Sequence, residues 1–123
     1  MTSTNCIFVG CDLHEKTLVN RIAVNREAAE KRTVGNTVTG RAKLIAMLKQ
    51  KAKERGGARI VLAYEASGQG FILCEQLRAA GIGCWVLAPT KIERSSQEKR
   101  NKNDERDADR LLDIVRGYEH GWI

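Results

Sequence analysis

A chain of 123 residues, 42% hydrophobic and 29% charged, has the length and composition of one globular domain with a single core. No apolar run approaches the length of a membrane span, and the opening MTSTNCIFVG lacks a signal peptide's basic head and long apolar middle. The net charge of +6 is unevenly placed: Arg41, Lys43, Lys49, Lys51, Lys53, Arg55 and Arg59 stand against the single acid Glu54, so this segment alone equals the whole positive surplus. A basic surface beside an acidic site would hold a polyanion, whereas the same charges also suit a solvated helix face, and charge does not decide between the two. The four cysteines, Cys6, Cys11, Cys74 and Cys84, share no C-x-x-C spacing and read as reduced core residues of a cytoplasmic protein rather than as a zinc site.

The elements follow from periodicity. Residues 5–12 and 16–24 are expected as strands, and 29–35 as a third that closes a hairpin through Asn25-Arg26-Glu27. Thr39-Gly40 precedes a helix to about Glu54, with Leu44, Ile45, Leu48 and Ala52 on one face and Gly56-Gly57 as its stop. Residues 58–65 lack polar alternation after Arg59, which suits a strand buried on both faces in a parallel pair. Ser67-Gly68-Gln69-Gly70 leads into a helix over 71–80. It lacks the ending of a phosphate-binding loop and reads as a tight turn. Ile82–Leu87 is the next strand, ended by Pro89, the chain's one proline. A short helical turn and a mobile polar loop are expected over 90–103, then a last helix over 104–116. The order β-β-β-α-β-α-β-α gives an α/β fold, a mixed sheet with an antiparallel meander first, right-handed crossovers after it and helices packed on the sheet.

Four carboxylates carry the chemistry. Asp12 closes the apolar run Ile7–Cys11, and Glu65 closes the run Ile60–Tyr64. A buried acid at a strand end is costly unless a cation or a donor meets it. The two strands are the most apolar in the chain and are expected as central neighbours. If they run parallel, their acids emerge at one edge. In the last helix Ala108, Leu111, Leu112 and Val115 form a core-facing stripe. At about 100° per residue Asp104 and Asp107 fall on that stripe, while Asp109 and Asp113 point away. Helix-start acids are also favoured by the helix dipole, with Asn103 as N-cap. That explains Asp104 but not the deeper Asp107. Acidic oxygens converging from three elements are a site for Mg²⁺ or Mn²⁺.

The segments VGCDLHEKT, YEASGQGF with Leu77, GIGCWVLAP and KNDERDADRLL occur in an order and spacing that resembles the N-terminal domain of the DEDD insertion-sequence transposases, the group that includes the pilin-gene-inverting recombinases. The motif Lys-x-Asp-x-x-Asp-Ala is the most specific of them. The resemblance implies an RNase H-like fold, similar to the RuvC resolvase, with a four-acid metal site. By motif position the acids fall on Asp12, Glu65, Asp104 and Asp107. Asn103 stands where threonine is more usual, a position that carries no acid. Family members continue into a C-terminal domain with a catalytic serine, so residues 1–123 look like one RuvC-like domain of a longer protein. Ser67, Ser95 and Ser96 match no such serine motif.

What the resemblance implies is a Mg²⁺-dependent transposase or recombinase domain that cleaves and transfers DNA strands, with two ions about 4 Å apart. Asp12 is the acid expected to bridge them. The partners implied are DNA, a structured guide RNA in many relatives, and further copies of the chain in a dimer or tetramer. Two other readings stand beside it: a nuclease resolving branched DNA, and a nucleic-acid-binding module active only within an assembly. The contact surface would be Arg41, Lys43, Lys49, Lys51, Lys53 and Arg55, with Lys99, Arg100 and Lys102 in the loop over 91–102. Aromatic content of 5% offers no stacking platform, so backbone contacts should dominate. His14, close to Asp12, is a candidate for proton traffic there, but a surface histidine after a strand is the favoured reading. Residues 93–104 are expected to order only when metal relieves repulsion among the acids.

Overall fold

The computed structural model describes residues 5–66, 70–88 and 104–119. Its described elements are β1 (Cys6–Leu13), β2 (Thr17–Val24), β3 (Glu30–Gly35), α1 (Val38–Glu54), β4 (Arg59–Glu65), α2 (Ile72–Ala79), β5 (Gly83–Leu87) and α3 (Asp104–Glu119). The five strands form one mixed sheet in the order β3-β2-β1-β4-β5. β1 and β2, and β2 and β3, pair antiparallel, whereas β4 runs parallel to both β1 and β5. This is the mixed α/β arrangement expected from the order of elements, an antiparallel meander followed by parallel strands, with β1 at the centre. The turn expected over 90–103 lies outside the described residues.

The period of two along the strands divides the core into two layers. Ile7, Val9 and Cys11 of β1 join Ile60, Leu62 and Tyr64 of β4 in a layer shared with Leu44, Leu48 and Ala52 of α1 and Leu73, Cys74 and Leu77 of α2. Cys6 and Phe8 join Val61 and Ala63 in a second layer closed by Leu112 and Val115 of α3. α3 packs across β1, β2 and β4. Burying Leu111, Leu112 and Val115, each under 4% exposed, contributes about 2 kcal/mol apiece. All four cysteines are buried free thiols.

α1 begins at Val38, three residues earlier than expected. Thr37 is its N-cap, and its hydroxyl accepts a hydrogen bond from the Gly40 amide at 2.9 Å. Gly40 thus lies inside the first turn, where a Cβ would fall 1.9 Å from the Gly35 carbonyl oxygen. The glycine serves close contact with the end of β3, not a helix boundary. At the other end the positive φ of Gly56 and Gly57 (74° and 87°) turns the chain, and the Gly57 amide donates to the Ala52 carbonyl.

Candidate metal centre

Strand parity places two of the four acids on one face. Alternation along β1 puts Cys6, Phe8, Gly10 and Asp12 toward α3, and along β4 it does the same for Val61, Ala63 and Glu65. Gly10 pairs with Ala63 across the parallel ladder. Asp12 and Glu65 each lie two residues beyond that pair, on neighbouring strands about 4.8 Å apart. Both acids are mostly enclosed, with side chains 14% and 26% exposed.

The third acid comes from α3, and Gly10 decides where that helix sits. A Cβ on Gly10 would lie 2.2 Å from the Ala108 carbonyl oxygen and 2.3 Å from the Leu112 nitrogen. The helix backbone therefore rests directly on β1. Its direction follows from its side chains. Arg116 donates to the carbonyl of Asn25, whose amide bonds Cys6 at the start of β1. Arg110 reaches Glu65 at the end of β4. The first turns of α3 thus stand over the strand ends that carry Asp12 and Glu65. Asp107, adjacent to the buried Ala108, is itself only 8% exposed. Asp113 faces solvent, and Asp109 turns to Arg21, whose Nε donates to its carboxylate at 2.7 Å.

Each strand-end acid is met by a neighbour. His14 Nε2 lies 2.9 Å from Asp12 Oδ2. Arg110 Nη2 lies 2.9 Å from Glu65 Oε2, an ion pair by distance without the angle of a hydrogen bond. Burial, and then the charge of Asp12, push the Cys11 thiol well above its ordinary range, so it stays protonated behind the acids. Among the described residues no three His, Cys, Asp or Glu side chains stand close enough together to hold one ion. Asp104 opens α3, but its side chain lies outside what is described.

The expected basic surface divides. Arg41 is 7% exposed and faces inward, where its Nε donates to Gln76 at 2.7 Å and its Nη1 to Asn36 at 2.8 Å. It is a strut between α1 and α2, which corrects its assignment to a nucleic-acid surface. Lys51 pairs with Glu30, and Arg55 pairs with Glu27 through both guanidinium ends, holding that carboxyl below its usual range. Lys43, Lys49 and Lys53 are exposed. Lys49, Lys53 and Arg59 line a cleft of about 540 Å³ with Gly56, Gly57 and Gly81. It opens at the start of β4, at the far end of that strand from Glu65, on the side of the sheet that α1 covers. That cleft is not beside the acids. Lys99, Arg100, Lys102 and the loop 93–103 lie outside the described residues.

Two contributors were not singled out from the sequence, Gly10 and Arg110, and a third, His14, was read as a surface residue. Gly10 had a signal: a lone glycine inside an apolar strand marks close approach of another backbone. Arg110 follows Asp107 by three, the spacing that places two side chains on one helix face.

A family model described as transposase, that of the DEDD transposases of the IS110 type, matches residues 9–121. The chain belongs to this family of transposases. The transposase for insertion sequence element IS1533 from Leptospira borgpetersenii is 31% identical over 117 residues, covering 94% of this chain and 32% of that protein. The chain thus spans about a third of the length of this curated relative. Among solved structures, the large terminase nuclease from thermophilic phage G20c is similar at 20% identity and a TM-score of 0.44, over 78% of this chain and 50% of that one. Its zinc-bound form gives a TM-score of 0.47.

Proposed function

We propose that this chain is the metal-dependent catalytic domain of a DNA transposase, cleaving and joining phosphodiesters together with further domains of a longer protein. What supports the reading is that Asp12 and Glu65 end neighbouring parallel strands on one face, and that the enclosed Asp107 lies on the helix seated over that face at Gly10. Asp104, one turn before Asp107, would add the fourth acid. The donor set is all hard carboxylate oxygen, which suits Mg²⁺ or Mn²⁺ over softer metals. Bound there, a pair of such ions would activate an attacking hydroxyl and stabilise the leaving oxygen.

The chain's own residues prepare that chemistry. Asp12, on the central strand, would reach both ions, with His14 orienting its carboxylate. Glu65 and Asp107 would close the site from the neighbouring strand and the helix. Membership in a transposase family implies DNA as the partner. A guide RNA or flanking DNA would lie along Lys43, Lys49 and Lys53 and the cleft beside Arg59, away from the reacting phosphate. The test is calorimetric titration with Mn²⁺. Asp12→Asn should lose most of the metal affinity while its circular dichroism stays unchanged, because neutralising one of several neighbouring acids relieves repulsion. Equal Mn²⁺ binding by wild type and variant would remove Asp12 from the site.

A further inference from the structure

We infer that Arg110 is a positioning residue of this site: it holds the Glu65 carboxylate in the ion-free protein and, once an ion takes that carboxylate, turns to a phosphodiester oxygen of the bound nucleic acid. The inference rests on the metal reading of the acids. Arg110 sits one turn beyond Asp107 on α3, and its Nη2 is 2.9 Å from Glu65 Oε2. That contact is poorly made. Nε and Nη2 are both closed off from solvent, yet neither has a hydrogen-bond partner among the described residues. Buried donors without acceptors are costly, so the guanidinium has capacity that the ion-free structure does not use.

The nearby Arg21 shows the contrast. Its Nε makes a direct hydrogen bond to Asp109, an acid that points away from the strand ends. Arg110 instead faces an acid that an ion would also claim. A divalent cation and a guanidinium compete for the same carboxylate charge, so an ion that takes Glu65 weakens the hold of Arg110, whose contact is to one oxygen alone. The displaced group is a planar fork of donors, the geometry that matches a phosphate, and it remains tethered one helical turn from Asp107. The phosphodiester oxygens at the site are the acceptors that its empty donors lack.

The test uses the full chain and its Arg110→Gln and Arg21→Gln variants, which remove the same charge from neighbouring positions. In Mn²⁺ titrations Arg110→Gln should bind about tenfold more tightly than wild type, and Arg21→Gln less than about twofold, because only the first frees a ligand from a competing ion pair. With a labelled DNA duplex, Arg110→Gln should bind about fivefold or more weakly in Ca²⁺ and equally in EDTA, since the phosphate contact forms only after displacement. Equal tightening of Mn²⁺ binding in both variants would reduce Arg110 to a general charge. A DNA defect of the same size with and without the ion would make it a structural strut. Both results overturn the inference while leaving the metal site standing. A wild-type chain that binds no Mn²⁺ would overturn the metal reading and this inference together.

Discussion

At the scale of single residues, the site depends on one that carries no chemistry. Gly10 has no side chain to meet Ala108 and Leu112, so α3 can lie on β1 and bring Asp107 over the ends of β1 and β4. A methyl group there meets helix backbone, which cannot give way as a flexible side chain would. Gly10→Ala should therefore destabilise the fold by about 3 kcal/mol or more, the upper range for overpacking. It should also lower Mn²⁺ affinity in whatever folded fraction remains. Urea denaturation checks the first effect, and a change under about 0.5 kcal/mol would show that α3 is not seated where the structure puts it. The sequence made Asp12 and Glu65 legible because an acid ending an apolar run stands out. His14 stood out only by its closeness to Asp12 in sequence, and its contact with that carboxylate at 2.9 Å is set by the bend of the chain after Leu13. Arg110 was hidden for a related reason: its contact with Glu65 joins residues far apart in sequence.

At the scale of elements, periodicity carried most of the reading. The stripe Ala108, Leu111, Leu112 and Val115 is buried, Asp107 lies on it, and Asp113 points away as the 100° step required. The apolar runs at 5–12 and 58–65 became β1 and β4, parallel neighbours at the centre of the sheet. What periodicity does not encode is which charges a fold consumes. The basic segment 41–59 looked like one surface, but Arg41 is taken up between α1 and α2, while Lys51 and Arg55 pair with Glu30 and Glu27 on the hairpin side. The exposed lysines of α1 that remain are Lys43, Lys49 and Lys53. Replacing these three with alanine should weaken nucleic-acid binding for all sequences alike and flatten its salt dependence, each lost phosphate contact reducing the slope by about one. Binding measured across a series of salt concentrations checks this. A variant with the parent's affinity and slope would place the contact surface elsewhere.

At the scale of the molecule, the mixed sheet explains why Asp12 and Glu65, far apart in sequence, end neighbouring strands at one edge. The meander β1-β2-β3 fixes β1 in the middle, and the crossover through α1 returns β4 beside it in the same direction. Parallel neighbours end at the same edge, and an antiparallel pair would have sent Asp12 and Glu65 to opposite edges. The family match over residues 9–121 fits a chain in which the four acids span nearly the whole domain. The account stands or falls on whether those acids share metal. Crystals of the protein soaked in Mn²⁺ and measured at the manganese absorption edge decide it. The account predicts anomalous peaks bounded by the carboxylates of Asp12, Glu65 and Asp107, with Glu65 drawn away from Arg110. Peaks elsewhere, or none at occupancy-saturating Mn²⁺ with the Glu65–Arg110 pair intact, would contradict it.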